Sequence, residues 1–197
     1  AIPVQKPGWS LQVGFNGTVQ NTVFTKLNPT EDDDYYIETG NISKGTGGYL
    51  SRQMTGYSPY TYYLYQQKYD STGHPIQNEF VDRDGDGSIT ENDRYMTGKS
   101  IAPKFYYGLS VKVTYKDWDF GLNGHGSAGA WAFYDSMSAN STANLDLNAG
   151  NLPNQAKLVK KTGFVAPNSS QQWYSDYFIQ NVSFFRLDEI NLGYTFR

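Results

Sequence analysis

Three aspartates at alternating positions, Asp82, Asp84 and Asp86, are the side chains of this sequence best spaced to do chemistry. They open the run Asp82-Arg83-Asp84-Gly85-Asp86-Gly87-Ser88-Ile89-Thr90-Glu91-Asn92-Asp93, which follows the EF-hand calcium loop position by position. Hard carboxylate oxygens suit a calcium ion, and no histidine or cysteine lies nearby to suggest a transition metal. Gly87 stands where such a loop turns sharply, Ser88 would offer its carbonyl, Ile89 would anchor the loop, and Thr90 could act through a water. Asp93 takes the last position, where the family of loops has a bidentate glutamate; its shorter arm implies weak affinity. The expected ligand set is therefore Asp82, Asp84, Asp86, the Ser88 carbonyl and Asp93, around a structural Ca²⁺. The flanks, Asn78–Val81 and Arg94–Met96, do not read as helices, so the loop stands without the EF-hand's helical pair. The alternative is an acidic surface turn with no metal.

Other candidates for chemistry are weaker. His74 and His125 are the two histidines, and neither has a serine or cysteine arranged for nucleophilic catalysis. Gly124-His125-Gly126-Ser127-Ala128-Gly129 lacks the lysine and the strand–helix setting of a phosphate loop. Glu31-Asp32-Asp33-Asp34 reads as a solvated loop tip. Trp131, Phe133, Tyr134, Trp173 and Tyr174 either pack loops together or stack on a sugar ring. Glycoside hydrolysis needs paired carboxylates on rigid elements, and the acids here sit in loops. The chain is not expected to be an enzyme.

The elements around these residues read as strands. Phe105, Tyr107, Leu109, Val111, Val113 and Tyr115 alternate with small or polar residues, and Trp118, Phe120 and Leu122 resume the alternation after Lys116-Asp117. A two-residue turn there sets Tyr115 opposite Trp118, Val113 opposite Phe120 and Val111 opposite Leu122, with all the apolar residues on one face. Eleven residues at about 3.3 Å each, tilted by about 45°, span roughly 25 Å, the height of a membrane barrel's apolar band. Aromatic residues mark both ends of that band, where membrane girdles belong. A β-sandwich hairpin would show the same periodicity. The last residues repeat the pattern, with Ile190, Leu192, Tyr194 and Phe196 on one face and Asn191, Gly193 and Thr195 on the other. Trp9 to Val19 reads as another long strand, with shorter ones around 47–55 and 60–70. Residues 25–46, 71–102 and 131–182 read as long loops. Short turns at one end and long loops at the other are the habit of outer-membrane barrels.

Composition agrees with an all-β chain. Among 197 residues there are 17 tyrosines, 20 glycines and 3 methionines, and aromatics make up 16%. A net charge of −3 with no basic cluster argues against nucleic acid. The absence of cysteine excludes a disulfide framework and a thiolate metal site. No stretch approaches the ~20 apolar residues of a membrane-spanning helix. Ala1-Ile2-Pro3-Val4-Gln5 has neither the basic start nor the apolar core of a signal peptide; an exported protein would carry its amino-terminal part upstream.

Val81 to Ile89, Asp93-Arg94, Gly98 and Pro103-Lys104-Phe105-Tyr106-Tyr107-Gly108-Leu109 resemble the "DxNGDGxI…DR…G…P.F.YGL" run of SusC/RagA-type TonB-linked outer-membrane transporters. Ser183-Phe184-Phe185-Arg186-Leu187-Asp188-Glu189-Ile190-Asn191-Leu192-Gly193-Tyr194 is similar to that family's closing "SFLRLKNVTLGY". Gly56, Pro59 and Tyr60 to Tyr69 resemble its "G.P…Y.Y" segment. The matches fall in family order over most of residues 56–197, while residues 1–55 fit only as generic barrel strand and loop. Arg83 departs from the family's small residue.

The resemblance implies localisation in a bacterial outer membrane, in Bacteroidetes-like bacteria, and active import of glycan fragments or peptides. The implied partners are a SusD-like surface lipoprotein, outer-membrane lipid, and TonB, reached through an amino-terminal part outside this sequence. It also implies a barrel of about twenty-two strands around a plugged lumen. About six strands are visible here, fewer than the eight of small barrels. Residues 1–197 are thus expected to be the carboxy-terminal portion of a transporter: antiparallel transmembrane β-barrel strands forming an incomplete barrel, with long extracellular loops. The calcium-like loop 82–93 lies within loop 71–102. The alternative from a different class is a soluble calcium-binding β-sandwich that recognises carbohydrate.

Overall fold

The computed structural model describes residues 2–28, 35–43, 47–143, 156–165 and 167–196. In chain order the strands are β1 (Ile2–Lys6), β2 (Trp9–Val19), β3 (Tyr36–Asn41), β4 (Tyr49–Met54), β5 (Thr61–Tyr65), β6 (Gln67–Tyr69) and β7 (Pro75–Phe80). They continue as β8 (Arg94–Met96), β9 (Phe105–Tyr115), β10 (Trp118–Ala128), β11 (Trp131–Phe133), β12 (Ile179–Asn181) and β13 (Phe184–Tyr194), with short helices α1 (Asp135–Ala139) and α2 (Leu158–Thr162). The chain divides into two units.

The first unit comprises Ala1–Asn21, Ala102–Trp131 and Asn181–Arg197. It is one antiparallel sheet in the order β1-β2-β9-β10-β13. Four of its strands run for 11 residues each. The β9–β10 hairpin has the register its alternation dictates: Tyr115 faces Trp118, Val113 faces Phe120 and Val111 faces Leu122. Lys116 adopts φ +53° to make the tight turn, the left-handed conformation that matches a two-residue hairpin to strand twist. β2 pairs with the other edge of β9, setting Trp9 against Tyr115, Leu11 against Val113 and Val13 against Val111. β1, which the sequence did not suggest, zips onto β2.

One face of this sheet is apolar and bare. Leu192 is 71% exposed, Phe15 65% and Ile190 60%. A soluble β-sandwich would cover such a face with a second sheet; among the described residues none does. At the loop end of this face, aromatic rings fill the space left by glycines. A Cβ at Gly17 would meet the Phe105 ring, one at Gly124 the Phe185 ring, and one at Gly126 the Tyr107 ring. Phe105, Tyr107 and Phe185 stack nearly parallel, with centroids 5.5 and 6.0 Å apart. Trp118, Tyr194 and Phe196 cluster at the turn end.

The second unit, Thr22–Ile101 and Ala132–Gln180, is a folded body of its own. This corrects the reading of 25–46, 71–102 and 131–182 as plain loops. β3 lies in the first of these segments; β7, β8 and a 3₁₀ turn at Glu91–Asp93 lie in the second; β11, both helices and β12 lie in the third. It also moves the strands expected around 47–55 and 60–70 out of the barrel wall. β4 and β5 are six and five residues long and pair in the separate order β3-β4-β5-β8. The wall sheet itself therefore has five strands here, against the about six expected from the sequence. The acidic tip Glu31–Asp34, and Gly45-Thr46, lie outside the described residues.

Apolar burial and an internal polar network hold this unit together. Leu158, Phe164 and Phe178 form a buried cluster against Phe133, Met137 and Tyr177, and Leu64 and Phe80 are buried elsewhere in the unit. The side-chain amide of buried Gln67 donates to the carbonyls of Lys68, Ile76 and Glu79. Its oxygen accepts from Gln172 and from Ser175, each at 2.8 Å. Buried amides persist only when satisfied in this way. Gln67 thus ties the β6–β7 hairpin to the segment around residue 172.

Candidate functional site: the polar wall and the acidic loop

The face opposite the apolar one carries Gln12, Asn16, Ser110, Lys112, Asn123, His125 and Asn191, which share the other pleat of the same strands. Its glycines serve close approach. A Cβ at Gly108 would meet the Asn16 amide, and one at Gly193 the Asp119 carboxylate. Polar side chains therefore lie flat across the sheet. A shallow groove of about 500 Å³ passes Gly14, Gly108 and Ser110 and reaches His125 and Asp188.

Near the loop end, the register between β10 and β13 shifts at Asn123/Gly124. Leu187 pairs with Gly124 and Glu189 with Asn123, so Asp188 is the inserted residue. A bulge of this kind re-aims a side chain. Asp188 Oδ2 comes to 2.6 Å from His125 Nδ1, while the neighbouring Glu189 accepts from Asn123 at 3.1 Å and Asn191 at 2.9 Å. His125 lies on the polar face of the sheet; His74 sits on an exposed hairpin tip beside Thr72. Strand alternation by itself gives Asp188 no role; the break in parity between Leu187 and Ile190 is its signal in the sequence.

The acidic loop belongs to the second unit. Asp82, Asp84 and Asp86 each bring a carboxylate oxygen within 4.8 Å of the others. Local hydrogen bonds aim them: Asp82 accepts from the amides of Gly85 and Gly87, Asp84 from Asp86, and Asp86 from Ser88. Gly85 and Gly87 take positive φ, +78° and +83°, which supplies the tight turning the sequence anticipates. Ser88 is exposed, next to this group.

Asp93 lies beside Asp82, its carboxyl at hydrogen-bond distance from that of Asp82, but outside the mutually close group of three. It is fully buried, and its carboxylate accepts from the backbone amides of Arg83 at 2.6 Å and Thr90 at 2.8 Å. These donors, Thr90 first, hold its carboxyl below the usual carboxylate range. Thr90 and Asp93 form a reciprocal capping box around the 3₁₀ turn. The pattern Thr90-Glu91-Asn92-Asp93 announces such a box in sequence. Of the expected ligands, the three alternating aspartates face one another, while Asp93, beside Asp82, also pins the loop closed through the Arg83 and Thr90 amides. The loop aromatics are divided: Tyr174 is buried, Phe133 packs on Phe178, and Tyr134 is 44% exposed.

No protein-family model matches the chain. A relative does. TonB-dependent receptor SusC of Bacteroides thetaiotaomicron is 37% identical over 200 residues, covering 100% of this chain and 20% of the receptor. The chain belongs to the SusC/RagA-type family. Members of that family are outer-membrane transporters and not enzymes. The structure of the RagAB peptide transporter matches 98% of this SusC/RagA-type chain with a TM-score of 0.68 at 15% identity. The RagAB peptide importer in its closed-closed state matches with a TM-score of 0.64 at 16% identity. At such identities the likeness concerns the fold, an open array of antiparallel barrel strands. The chain spans about one fifth of the length of these relatives.

Proposed function

We propose that this chain supplies barrel wall and an extracellular body to a TonB-dependent importer that carries glycan fragments or peptides across the outer membrane. The carrying observation is the two-faced sheet of 11-residue strands, bare and apolar on one side and lined by amides and glycines on the other. The apolar face meets lipid, because unburied apolar area of this extent is unfavourable in water. The polar face lines the lumen. β1 and β13 each leave one edge unpaired in this sheet, and open edges are not tolerated in hydrocarbon; other strands of the longer protein pair there. A SusD-like surface lipoprotein is the implied partner, and TonB acts through parts of the protein outside this chain. The test is uptake of labelled oligosaccharides and peptides by cells carrying the full-length gene, with TonB or the lipoprotein gene deleted. Uptake that persists unchanged without TonB would sink the reading.

The acidic loop is proposed as a structural calcium site. Asp82, Asp84 and Asp86 would hold the ion with the Ser88 carbonyl, and Asp93 would take part by holding the loop closed or by adding an oxygen. The supporting observation is the mutual approach of three like-charged carboxylates, an arrangement that a divalent cation neutralises. Its role would be to fix residues 71–102.

A further inference from the structure

The two ends of the apolar face differ in aromatic geometry. At the turn end, Trp118 and Tyr194 meet at 56°, and Tyr194 and Phe196 at 80°. At the loop end the ring planes agree: Phe105 and Tyr107 differ by 16°, Tyr107 and Phe185 by 5°. The cause is a cross-strand row in which glycine alternates with aromatic residue, Gly17-Tyr107-Gly126-Phe185 over β2, β9, β10 and β13. Each missing side chain leaves a gap into which a neighbouring ring lies down. Phe105 covers Gly17, Tyr107 covers Gly126, and Phe185 covers Gly124 in the adjoining row; a Cβ at any of the three would come to 3.0 Å or less from the ring above it. Tyr107 is pinned flat, because its hydroxyl reaches across β10 and donates to the Phe184 carbonyl at 3.2 Å.

A membrane girdle needs aromatic residues at headgroup level, but it does not need them laid flat. The tilted cluster at the turn end meets that need. The level row at the loop end, with ring centroids 5.5 and 6.0 Å apart, presents successive π faces at a spacing near the width of a sugar ring. The negative face of an aromatic ring attracts the polarised C–H groups on one side of a sugar. This row lies on the apolar face and not on the lumen wall, so a sugar resting on it belongs to a lipid headgroup and not to cargo. The long connections leave the sheet at this end, which makes it the extracellular end. Outer membranes carry their glycolipid in the outer leaflet and phospholipid in the inner one, and the two aromatic clusters differ in the same sense. Phe15 and Leu187, both exposed, form the next row toward the middle of the sheet, at the depth of acyl chains.

We propose that Phe105, Tyr107 and Phe185 form a docking platform for a glycolipid of the outer leaflet. Sugar units of the headgroup lie on the three rings, and the acyl chains run along Phe15 and Leu187. The Tyr107 hydroxyl, engaged as a donor, still accepts from a sugar hydroxyl. The proposal rests on the importer reading above, which sets the loop end outside the cell, and adds to it a ligand that is held and not transported.

The test uses the full-length transporter with its lipoprotein partner, purified in mild detergent and titrated by native mass spectrometry. The probes are rough-form lipopolysaccharide, whose headgroup is sugar, and phosphatidylethanolamine, whose headgroup is not. Wild type is expected to prefer the lipopolysaccharide, a comparison that needs no variant. Tyr107→Leu and Phe185→Leu keep an apolar side chain and remove a ring. Each should weaken lipopolysaccharide binding about tenfold, the loss of one stacked contact, and leave phosphatidylethanolamine binding as it was. Gly126→Ala lifts the Tyr107 ring and should act in the same direction. Trp118→Leu, at the turn end, should match wild type. Resistance of the barrel to unfolding in cold detergent gels shows that each variant has assembled. A wild type with no preference between the two lipids, unchanged lipopolysaccharide binding in both leucine variants, or an equal loss in Trp118→Leu overturns the platform. The importer reading fails separately, through TonB-independent uptake in cells, which lipid binding to the purified protein does not report.

Discussion

Asp188 Oδ2 lies 2.6 Å from His125 Nδ1, and it reaches that ring because β13 carries one residue more than β10 across Asn123/Gly124. The bulge lets Phe185 and Leu187 share a face with Ile190, Leu192 and Tyr194 although the two sets differ in parity. One inserted residue thus preserves the apolar face over the full strand.

Deleting Asp188 should therefore harm assembly far more than changing it. Deletion slides Phe184–Leu187 by one position and turns Phe185 and Leu187 to the polar face. Asp188→Ala keeps the register and should cost about 0.5–1.5 kcal/mol, one hydrogen bond's worth. Folding yield in the outer membrane and urea melting of the full-length protein distinguish them. Equal effects would mean that the bulge does not set the register.

The two faces can be told apart by neighbouring substitutions in β9. Val111→Arg puts a charge in the middle of the apolar face and should cost roughly 2–4 kcal/mol of barrel stability. Lys112→Arg, on the polar face, should cost little. If both variants assemble equally well, the assignment of lipid and lumen faces is wrong.

Calcium should change the protease sensitivity of residues 71–102. The expectation is protection with calcium in the range of about 10⁻⁴–10⁻³ M, loss of protection with chelator, and loss at any calcium level in Asp84→Ala. Identical cleavage under all these conditions would remove the case for a bound ion.

Asp93 makes the acidic loop sensitive to acid. Backbone donors hold its carboxyl below the usual range, so the folded loop binds the proton less readily than the unfolded chain. Its contribution is complete above the ordinary aspartate value of about 3.9 and is lost as pH falls through the lower folded value. Hydrogen exchange at the Arg83 and Thr90 amides should quicken over that acidic window. In Asp93→Asn it should already be fast at neutral pH; protection there equal to wild type would contradict the role given to the carboxylate.

Gln67→Met should loosen the whole second unit. It leaves three carbonyls and the Gln172 and Ser175 donors without their partner, at about 1–3 kcal/mol for each buried group left unpaired. Proteolysis of the β6–β7 hairpin and of the segment around Gln172 should rise together. Cleavage confined to one of them would show that the amide does not couple the two.

The long strands and their faces were legible in the sequence because side-chain direction in a strand alternates by a local rule. Tyr115 to Trp118 fixes one hairpin turn, and every pair above it follows. The three facing aspartates were legible for a similar reason: alternate spacing and two glycines build the loop within a few residues. What tertiary structure alone decided depends on partners distant in the chain. Gln67 and Gln172 meet across 105 residues, so nothing in the sequence near either marks the body they hold together. Asp93 turned inward because the amides of Arg83 and Thr90 converge on it once the loop closes. Arg94 became a buried cation because Tyr49, Tyr63 and Tyr174 gather around it from separate segments. Periodicity is a property of neighbours along the chain; burial and charge pairing are properties of neighbours in space.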